Sequence, residues 1–510
     1  MTIATASTAR PTTRQAPLIL TGCLTAAVIP LSIAGPAVAV PSINQALGGS
    51  AVELNWIVNA YMLTYGSATL AAGSLADIYG RKRIWLAGIL LFALVTAGIP
   101  FMPSVLWVDI LRLIQGLAAA AAFAGAMAAL TQEFEGHART RIFSLIGTTF
   151  GAGGAFGPLL AGVLIDTVGW QWVFLLPAAI AGVACVLVTR VARETRDPEA
   201  SGLDWPGAIT FTAGLTVLTY GIILAPEKGW GHVSVLLSFA IAVGLLSAFV
   251  VIERRSAMPM LDLSLFGNAR FVGVQILAIA PAYAYVVLLI VLPARFIGVE
   301  GHSALATGQL MIALSSPLLV VPFIAGQLAR WISVGVLSGI GLVVAAAGLV
   351  WLGYGIADEA HNTRLLAMLA IGVGIGLPWG LMDGLAVSVV PKERAGMATG
   401  IFNAVRLVGD GIAIATVGAM LSARVLSGLR ATVENGISGQ VAVGDLVAAS
   451  NRLAMGDLQH ALAHLPTMGR TLLLQAYENA FQFQLFVLAC AAAATAILVF
   501  ALLGKVRTHH

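Results

Sequence analysis

Charge is what this 510-residue chain has least of. Asp, Glu, Lys and Arg together make up 10% of it, against about 25% in an ordinary soluble domain. A soluble chain of this length needs a charged skin, and this one cannot supply it. The shortage excludes a soluble enzyme, a disordered protein and a collagen-like fibre. Cysteine is scarce too. Cys23, Cys185 and Cys490 all stand in apolar segments, and their spacing offers neither a metal site nor a disulfide framework. There is no G-x-x-x-x-G-K-[ST] loop to cradle a nucleotide phosphate. No His/Cys/Asp cluster has metal-ligand spacing. Nothing in the sequence calls for a metal or a cofactor, and enzyme chemistry has no support.

What is abundant is apolar. Hydrophobic residues make up 59% of the chain. A helix needs about 20 of them to cross roughly 30 Å of hydrocarbon. Fourteen windows qualify, near 18–40, 55–75, 84–103, 105–130, 141–165, 171–190, 204–224, 233–252, 271–294, 304–328, 332–354, 364–390, 395–423 and 481–504. The first is too long for a signal peptide and holds Pro30, Pro36 and Pro41, so it reads as a helix. The net charge of +4 belongs to basic residues between these windows, which points to membrane orientation and not to nucleic acid. With the N-terminus in the cytoplasm, 18 of the 27 Lys and Arg residues fall inside and 7 outside. Both termini are therefore expected in the cytoplasm, with the chain crossing a bacterial-type (inner) cell membrane. The fold class expected is an all-α polytopic membrane protein.

The windows divide into 1–17, a cytoplasmic tail; 18–190, a six-helix bundle; 191–270, a linker with two additional helices; 271–504, a second six-helix bundle; and 505–510, a short tail. Residues 424–480 mix Arg430, Glu434, Asp445, Arg452, Asp457 and Arg470 with Leu and Ala at helical spacing. They read as an external loop with one or two amphipathic helices, a cap with no direct part in substrate binding. An offset of 253 residues aligns AGSLAD, ending at Asp77, with AGQLAR, ending at Arg330. It also aligns the turn Arg139–Arg141 with Lys392–Arg394, Gly147 with Gly400 and Gly157 with Asp410. Two halves related by a parallel repeat would produce this.

Ionisable groups inside a bilayer are expensive and are functional candidates by default. Asp109 and Arg112 lie three apart on the fourth helix, followed by Gln115 and Gly116. Asp109 is expected near the outer surface, where water solvates it, and Arg112 deeper. Arg406 and Asp410 share a face of the thirteenth helix. Asp383 has no partner on its own helix. An intramembrane carboxylate can carry a proton, bind a cationic substrate or pair with arginine for structure, and all three readings stand for Asp410. On the fifth helix GTTFGAGGAFGPLLAG offers small residues for close packing, and Gly157-Pro158 can bend it. Asp77 with Arg81, Lys82 and Arg83 occupies the turn after the second helix, where Gly80 stands between acid and bases. The bland reading is a basic anchor; the other is an interface latch that breaks when the protein changes state. Among the aromatics, Tyr61, Tyr65, Phe123 and Trp379 are candidates to line a central cavity.

These residues resemble a known family. GSLADIYGRKRIWL, from Gly73 to Leu86, fits the major facilitator superfamily pattern G-x-L-A-D-x-x-G-R-K-x-x-x-L throughout. Arg112, Gln115 and Gly116 resemble its fourth-helix R-x-x-Q-G motif. Gly153, Gly157, Pro158 and Gly162 resemble its fifth-helix antiporter motif, with Ala161 where glycine is usual. The span count and the long loop before the last helix resemble the fourteen-helix drug:proton antiporter branch. The resemblance implies alternating access between two bundles and export driven by inward proton flow. It makes Asp77, Gly80, Arg81 and Lys82 the conformational latch, and associates Arg112 with proton coupling. Two acids usual in that branch are missing: Ser32 stands for one in the first helix and Asn59 for another in WIVNAY. Asp383 and Asp410, with Arg112 and Arg406, are then the coupling candidates. Ser32, Asn59 and Gln115 join the cavity candidates. Multivalent cations fit such a cavity less well than neutral, zwitterionic or anionic amphiphiles.

The function expected is proton-coupled export of small hydrophobic or amphiphilic compounds, such as drugs or toxic metabolites. The proton gradient is the energy source, and the partners are a small-molecule substrate, protons and the lipid bilayer. Proton symport or uniport for uptake, and a transport-inactive membrane receptor, are the alternatives.

Overall fold

In hydrocarbon a backbone must satisfy its own hydrogen bonds, and among the described residues this chain does so with helices and short turns alone. The computed structural model describes residues 15–134, 136–196, 204–229, 231–256, 263–329, 331–355, 361–390, 395–434 and 441–504. Most of the N-terminal tail, the C-terminal tail 505–510, Arg330, Lys392 and Arg394 lie outside them. So do the side chains of Arg139 and Arg141.

The first bundle comprises α1 (Gln15–Leu47), α2 (Ala51–Tyr79), α3 (Arg81–Gly98), α4 (Val105–Glu133), α5 (Gly136–Thr167) and α6 (Trp172–Val191). α7 (Trp205–Lys228) and α8 (Val233–Arg255) follow. They pack against each other, and α7 lies on α2 and on α13 (Ala395–Glu434), at the seam of the two bundles. The second bundle comprises α9 (Ala269–Val299), α10 (Ala304–Leu328), α11 (Val334–Gly355), α12 (Asn362–Ala386) and α13. Two short helices come next, α14 (Val443–Ala454) and α15 (Leu458–His464), and the bundle closes with α16 (Gly469–Leu503).

Among the described residues eleven helices are long and apolar enough to cross a membrane, or twelve when the two limbs of bent α5 form one span. α2 and α7, of 29 and 24 residues, lie outside that count. α2 carries Asn55, Asn59, Thr64, Ser67 and Thr69 along its length, which dilutes its apolar character.

The 253-residue offset extends well beyond the short matches that reveal it. Shifted by that amount, the starts of α1, α2, α3 and α4 fall at 268, 304, 334 and 358. The observed starts are Ala269, Ala304, Val334 and Asn362. The register breaks at the sixth helix, where α14 and α15 are inserted. The polar stretch is shorter than the sequence predicts. α13 continues as helix to Glu434 and α16 begins at Gly469, so both run past the ends of their apolar windows. A helix of 40 residues is about 60 Å long, twice the hydrocarbon thickness, and its surplus stands clear of the apolar layer.

Local chemistry sets several boundaries. α2 opens on a capping box: the Glu53 amide donates to Ser50 Oγ at 3.2 Å and the Ser50 amide to Glu53 Oε2 at 2.7 Å. α5 bends by 43° between Leu145–Gly154 and Phe156–Thr167. Pro158 has no amide to give to the Gly154 carbonyl, so the bend falls one turn before the proline.

Candidate functional site

One end of the molecule carries Arg81–Arg83, Arg190, Arg254, Arg255 and Arg270; the other carries α14 and α15. They are called here the basic end and the loop end. Three hydrogen bonds between described residues join the two bundles, and all three lie at the loop end. The Leu305 amide, in the first turn of α10, donates to Asp166 Oδ2 at 2.9 Å. Arg452 Nη2 donates to the Gly49 carbonyl at 2.9 Å, and Asn44 Nδ2 to Asp457 Oδ2 at 2.9 Å. Nearby, α5 and α10 meet backbone to backbone. A Cβ on Gly162 would stand 2.3 Å from the Ala304 carbonyl oxygen, and one on Gly308 2.6 Å from Leu159 Cα. Gly162 is thus needed for a contact between bundles. Gly153 and Gly157 face α1 instead, within 3 Å of Pro30 and Ala34 by the same measure.

Between the bundles lies a cavity. The first bundle contributes Pro30, Ile33 and Ala34 from α1, Met62 from α2, and Phe150, Gly151 and Gly154 from α5. The second contributes Tyr285, Val286 and Leu289 from α9, Leu318 from α10, Trp379 from α12, and Arg406 and Asp410 from α13. The wall is apolar and aromatic apart from that last pair. Tyr285 is fixed by a 2.9 Å hydrogen bond from its hydroxyl to Ser315 Oγ and stands edge-on to Trp379, with ring centroids 5.9 Å apart. A large rigid aromatic corner of this kind buries apolar cargo well.

The pairing of the α13 charges differs from what their spacing invites. Arg406 Nη1 lies 3.7 Å from Asp383 Oδ1 on α12, not on Asp410 one turn away. Asp383 therefore has a partner, but on the neighbouring helix, and its side chain is 60% exposed. Asp410 is 8% exposed, its Oδ1 accepts no hydrogen bond, and among the described residues it makes no ion pair. A structural pairing of Asp410 with Arg406 is thus not the arrangement adopted.

Arg112 is completely buried inside the first bundle. Its Nε donates to the Ile57 carbonyl at 2.6 Å and its Nη1 to Gln115 Oε1 at 2.6 Å, while Gln115 Nε2 donates to Thr96 Oγ1 at 2.7 Å. The guanidinium lies 4.5 Å from the centroid of Tyr61, within cation–π range. Its Nη2 has no partner. Asp109, expected to be solvated, is buried instead, with Oδ1 unpartnered; α4 is covered by α2 and α3 up to its loop end.

Of the seven cavity candidates, Trp379 reaches the wall. Ser32, Asn59, Tyr61, Tyr65 and Gln115 are buried, and Tyr65 stands within electrostatic reach of Arg406 and Asp410. Tyr61 stacks on Tyr65 at 5.9 Å, Tyr65 meets Phe123 at 6.4 Å, and Phe123 meets Phe150 at 6.4 Å. That aromatic chain runs from the buried guanidinium to the cavity wall. Sequence reasoning passed over Pro30, Ile33, Ala34, Phe150 and Leu289. Their helical spacing was visible, but in an apolar helix nothing separates a cavity face from a lipid face.

At the basic end the latch residues come together. Arg81 Nε and Nη2 both donate to Asp77 Oδ1, at 3.0 and 2.8 Å, and Nη1 donates to Gln132 Oε1 on α4 at 2.6 Å. Glu194, which the sequence did not single out, completes the group. Its Oε1 accepts from the Lys82 amide at 3.2 Å, and Lys82 Nζ donates to the Thr189 carbonyl at 2.9 Å. Gly80 has φ +113°, and a Cβ there would lie 2.3 Å from Glu194 Oε1. The positive φ is what requires glycine; the Glu194 carboxylate is the end of a flexible side chain and can move aside.

Two helical bundles related by a repeat, closed over a central cavity at one end, define a membrane transporter and not an enzyme. The Major Facilitator Superfamily model matches residues 22–414, and the chain belongs to that family. It is 29% identical over 406 residues to the multidrug resistance protein Stp of Mycobacterium tuberculosis, covering 78% of this chain and 74% of Stp. It is 32% identical over 386 residues to the cephamycin export protein CmcT of Amycolatopsis lactamdurans, covering 74% of this chain and 79% of CmcT. Its fold is similar to the crystal structure of a bacterial homolog of the human lysosomal transporter Spinster, in an inward-facing and unoccupied conformation. That likeness has a TM-score of 0.66 at 14% identity, over 98% of this chain and 100% of the other.

Proposed function

We propose that this protein exports small amphiphilic or hydrophobic compounds in exchange for protons by alternating access, as a fourteen-span member of the drug:proton antiporter branch. α2 and α7, added to the twelve spans counted by length and apolarity, make fourteen. The excess of Lys and Arg at the basic end supports a cytoplasmic position for that end and for both termini. Sealed at the loop end, the described conformation then faces inward. The names of the relatives support export of antibiotic-like cargo.

The observation that carries the reading is Asp410, a buried carboxylate without an ion pair in a cavity whose wall is apolar apart from it and Arg406. A buried carboxylate that no donor satisfies is a place where a proton can be taken up and given back. Arg406 gives it a two-position counter-charge. With Asp410 protonated, Arg406 rests near Asp383, as described. With Asp410 ionised, the same guanidinium swings one helical turn to neutralise it. The proton and the arginine thereby exclude each other at one site. Arg112 is the fixed cation of the other bundle. No cofactor is required; the proton gradient supplies the energy.

The test is efflux from energised cells lacking their main exporters. Cells are loaded with fluorescent cationic, neutral and anionic amphiphiles, with and without a protonophore. Protonophore-sensitive efflux that disappears in Asp410→Asn is the expected result. Normal proton-driven efflux by a well-expressed Asp410→Asn variant would sink the assignment.

A further inference from the structure

A carrier opens toward one face only after the contacts that seal that face have broken. At the loop end α5 packs on α10, and among the described residues three hydrogen bonds cross. α14 and α15 are fastened to their own bundle. The Ser422 hydroxyl on α13 donates to Asn451. The Gly456 backbone lies so close to α9 that a Cβ on Gly298 would meet its carbonyl oxygen at 1.9 Å. Leu446, Ala449, Leu453, Leu458 and Ala461 are buried. This segment moves with the second bundle.

Toward the first bundle it reaches with two polar side chains, Arg452 to the Gly49 carbonyl and Asp457 to Asn44. Both side chains are held in place before they cross. Asp457 caps α15 by accepting from the His460 amide at 3.1 Å, and Arg452 Nη1 lies 3.5 Å from Asp457 Oδ2. On the other side, the α1–α2 turn carries Gly48 and Gly49 at φ +68° and +116°, a backbone that side chains rarely adopt. The Gly49 carbonyl at that turn is the acceptor for Arg452.

We propose that α14–α15 is an outer strap, carried by the second bundle. It holds the loop end shut through Arg452–Gly49 and Asn44–Asp457, and it releases before cargo can leave. The inference rests on the alternating-access reading above. Bonds of this kind are strong enough to bias a two-state equilibrium and weak enough to break in every cycle. Loss of either one raises the fraction of molecules open at the loop end by about three- to tenfold.

Two measurements test the strap in the full-length carrier with Cys23, Cys185 and Cys490 replaced by serine. In the first, Asn44→Cys and Asp457→Cys are introduced together and oxidised. The pair is expected to cross-link, export is expected to stop, and reductant is expected to restore it. Full export by the cross-linked carrier, or no cross-link at all, would overturn the strap. In the second, Met62→Cys in the cavity is labelled by a membrane-impermeant maleimide applied from the loop end. Asn44→Ala and Arg452→Ala are expected to speed labelling about three- to tenfold, while Gln459→Ala, exposed on α15, leaves it unchanged. Equal rates in all three would overturn the proposal. Labelling needs no cargo, so a serine-substituted parent that exports nothing defeats the export reading and leaves the strap to be judged by the maleimide.

Discussion

The two bundles share a repeat but handle polarity in opposite ways. In the first, α1 to α4 and α6 run unbroken, and the central cation is consumed by neighbours: Arg112 on the Ile57 carbonyl, Gln115 and Tyr61. In the second, α9 is interrupted by π-turns at Ala282–Val286 and Arg295–Val299, α10 between Ser315 and Pro317, and α12 after Trp379. Arg295 and Arg364 are paired tightly with Glu300 at its loop end, but Asp383, Arg406 and Asp410 remain at or near the cavity with loose pairing or none. A bundle of mostly continuous helices whose central cation is held by its neighbours is a rigid frame. One with broken helices and underused charges can exchange partners at little cost. The pseudo-symmetric positions have thus diverged in task. Gly157, packed on α1, corresponds to Asp410, which faces the cavity.

The largest effect should come from Asp410→Asn. Proton-driven efflux is expected to fall to the empty-vector level, while thermal stability in detergent changes by less than about 1 kcal/mol. Next is Arg112→Met, which strands the Ile57 carbonyl and Gln115 in a dry interior. A loss of about 1–3 kcal/mol is expected, read as a lower midpoint in denaturant, with export lost because the frame fails. If the two variants instead behaved alike in stability, the contrast between frame and working bundle would be broken. Trp379→Ala should raise the half-saturating concentration of a hydrophobic cargo about tenfold, for roughly 1–2 kcal/mol of lost aromatic contact, with folding intact. Gly80→Ala forces a side chain into the positive-φ half of the backbone map. About 1–2 kcal/mol of destabilisation is expected in the same unfolding assay. Glu194→Gln, which weakens only half-exposed contacts at that turn, should cost no more than about 1 kcal/mol. A larger loss from it would show that the basic end depends on its acid more than on its glycine.

Much of the architecture was legible because membrane helices are specified locally. Apolar length, the S-x-x-E box at Ser50–Glu53 and the proline at 158 each act within a turn or two of chain. The turn from Asp77 to Lys82 was legible for the same reason, since Asp77 and Arg81 are four residues apart. Glu194 escaped notice because it reaches that turn from more than a hundred residues away. α14 and α15 were visible as amphipathic helices, but their attachment to the α1–α2 turn was not.

By itself, then, the sequence determined the class, the helices, the repeat and the basic turn, because each depends on composition or on neighbours along the chain. Only the tertiary structure decided that Arg406 meets Asp383, that Asp410 stands in the cavity wall without an ion pair, that the tyrosines of α2 are buried, and that two side chains of a distal loop reach the first bundle. Those outcomes depend on which faces of uniformly apolar helices turn toward each other. A chain with so little charge gives no contrast from which to read that choice.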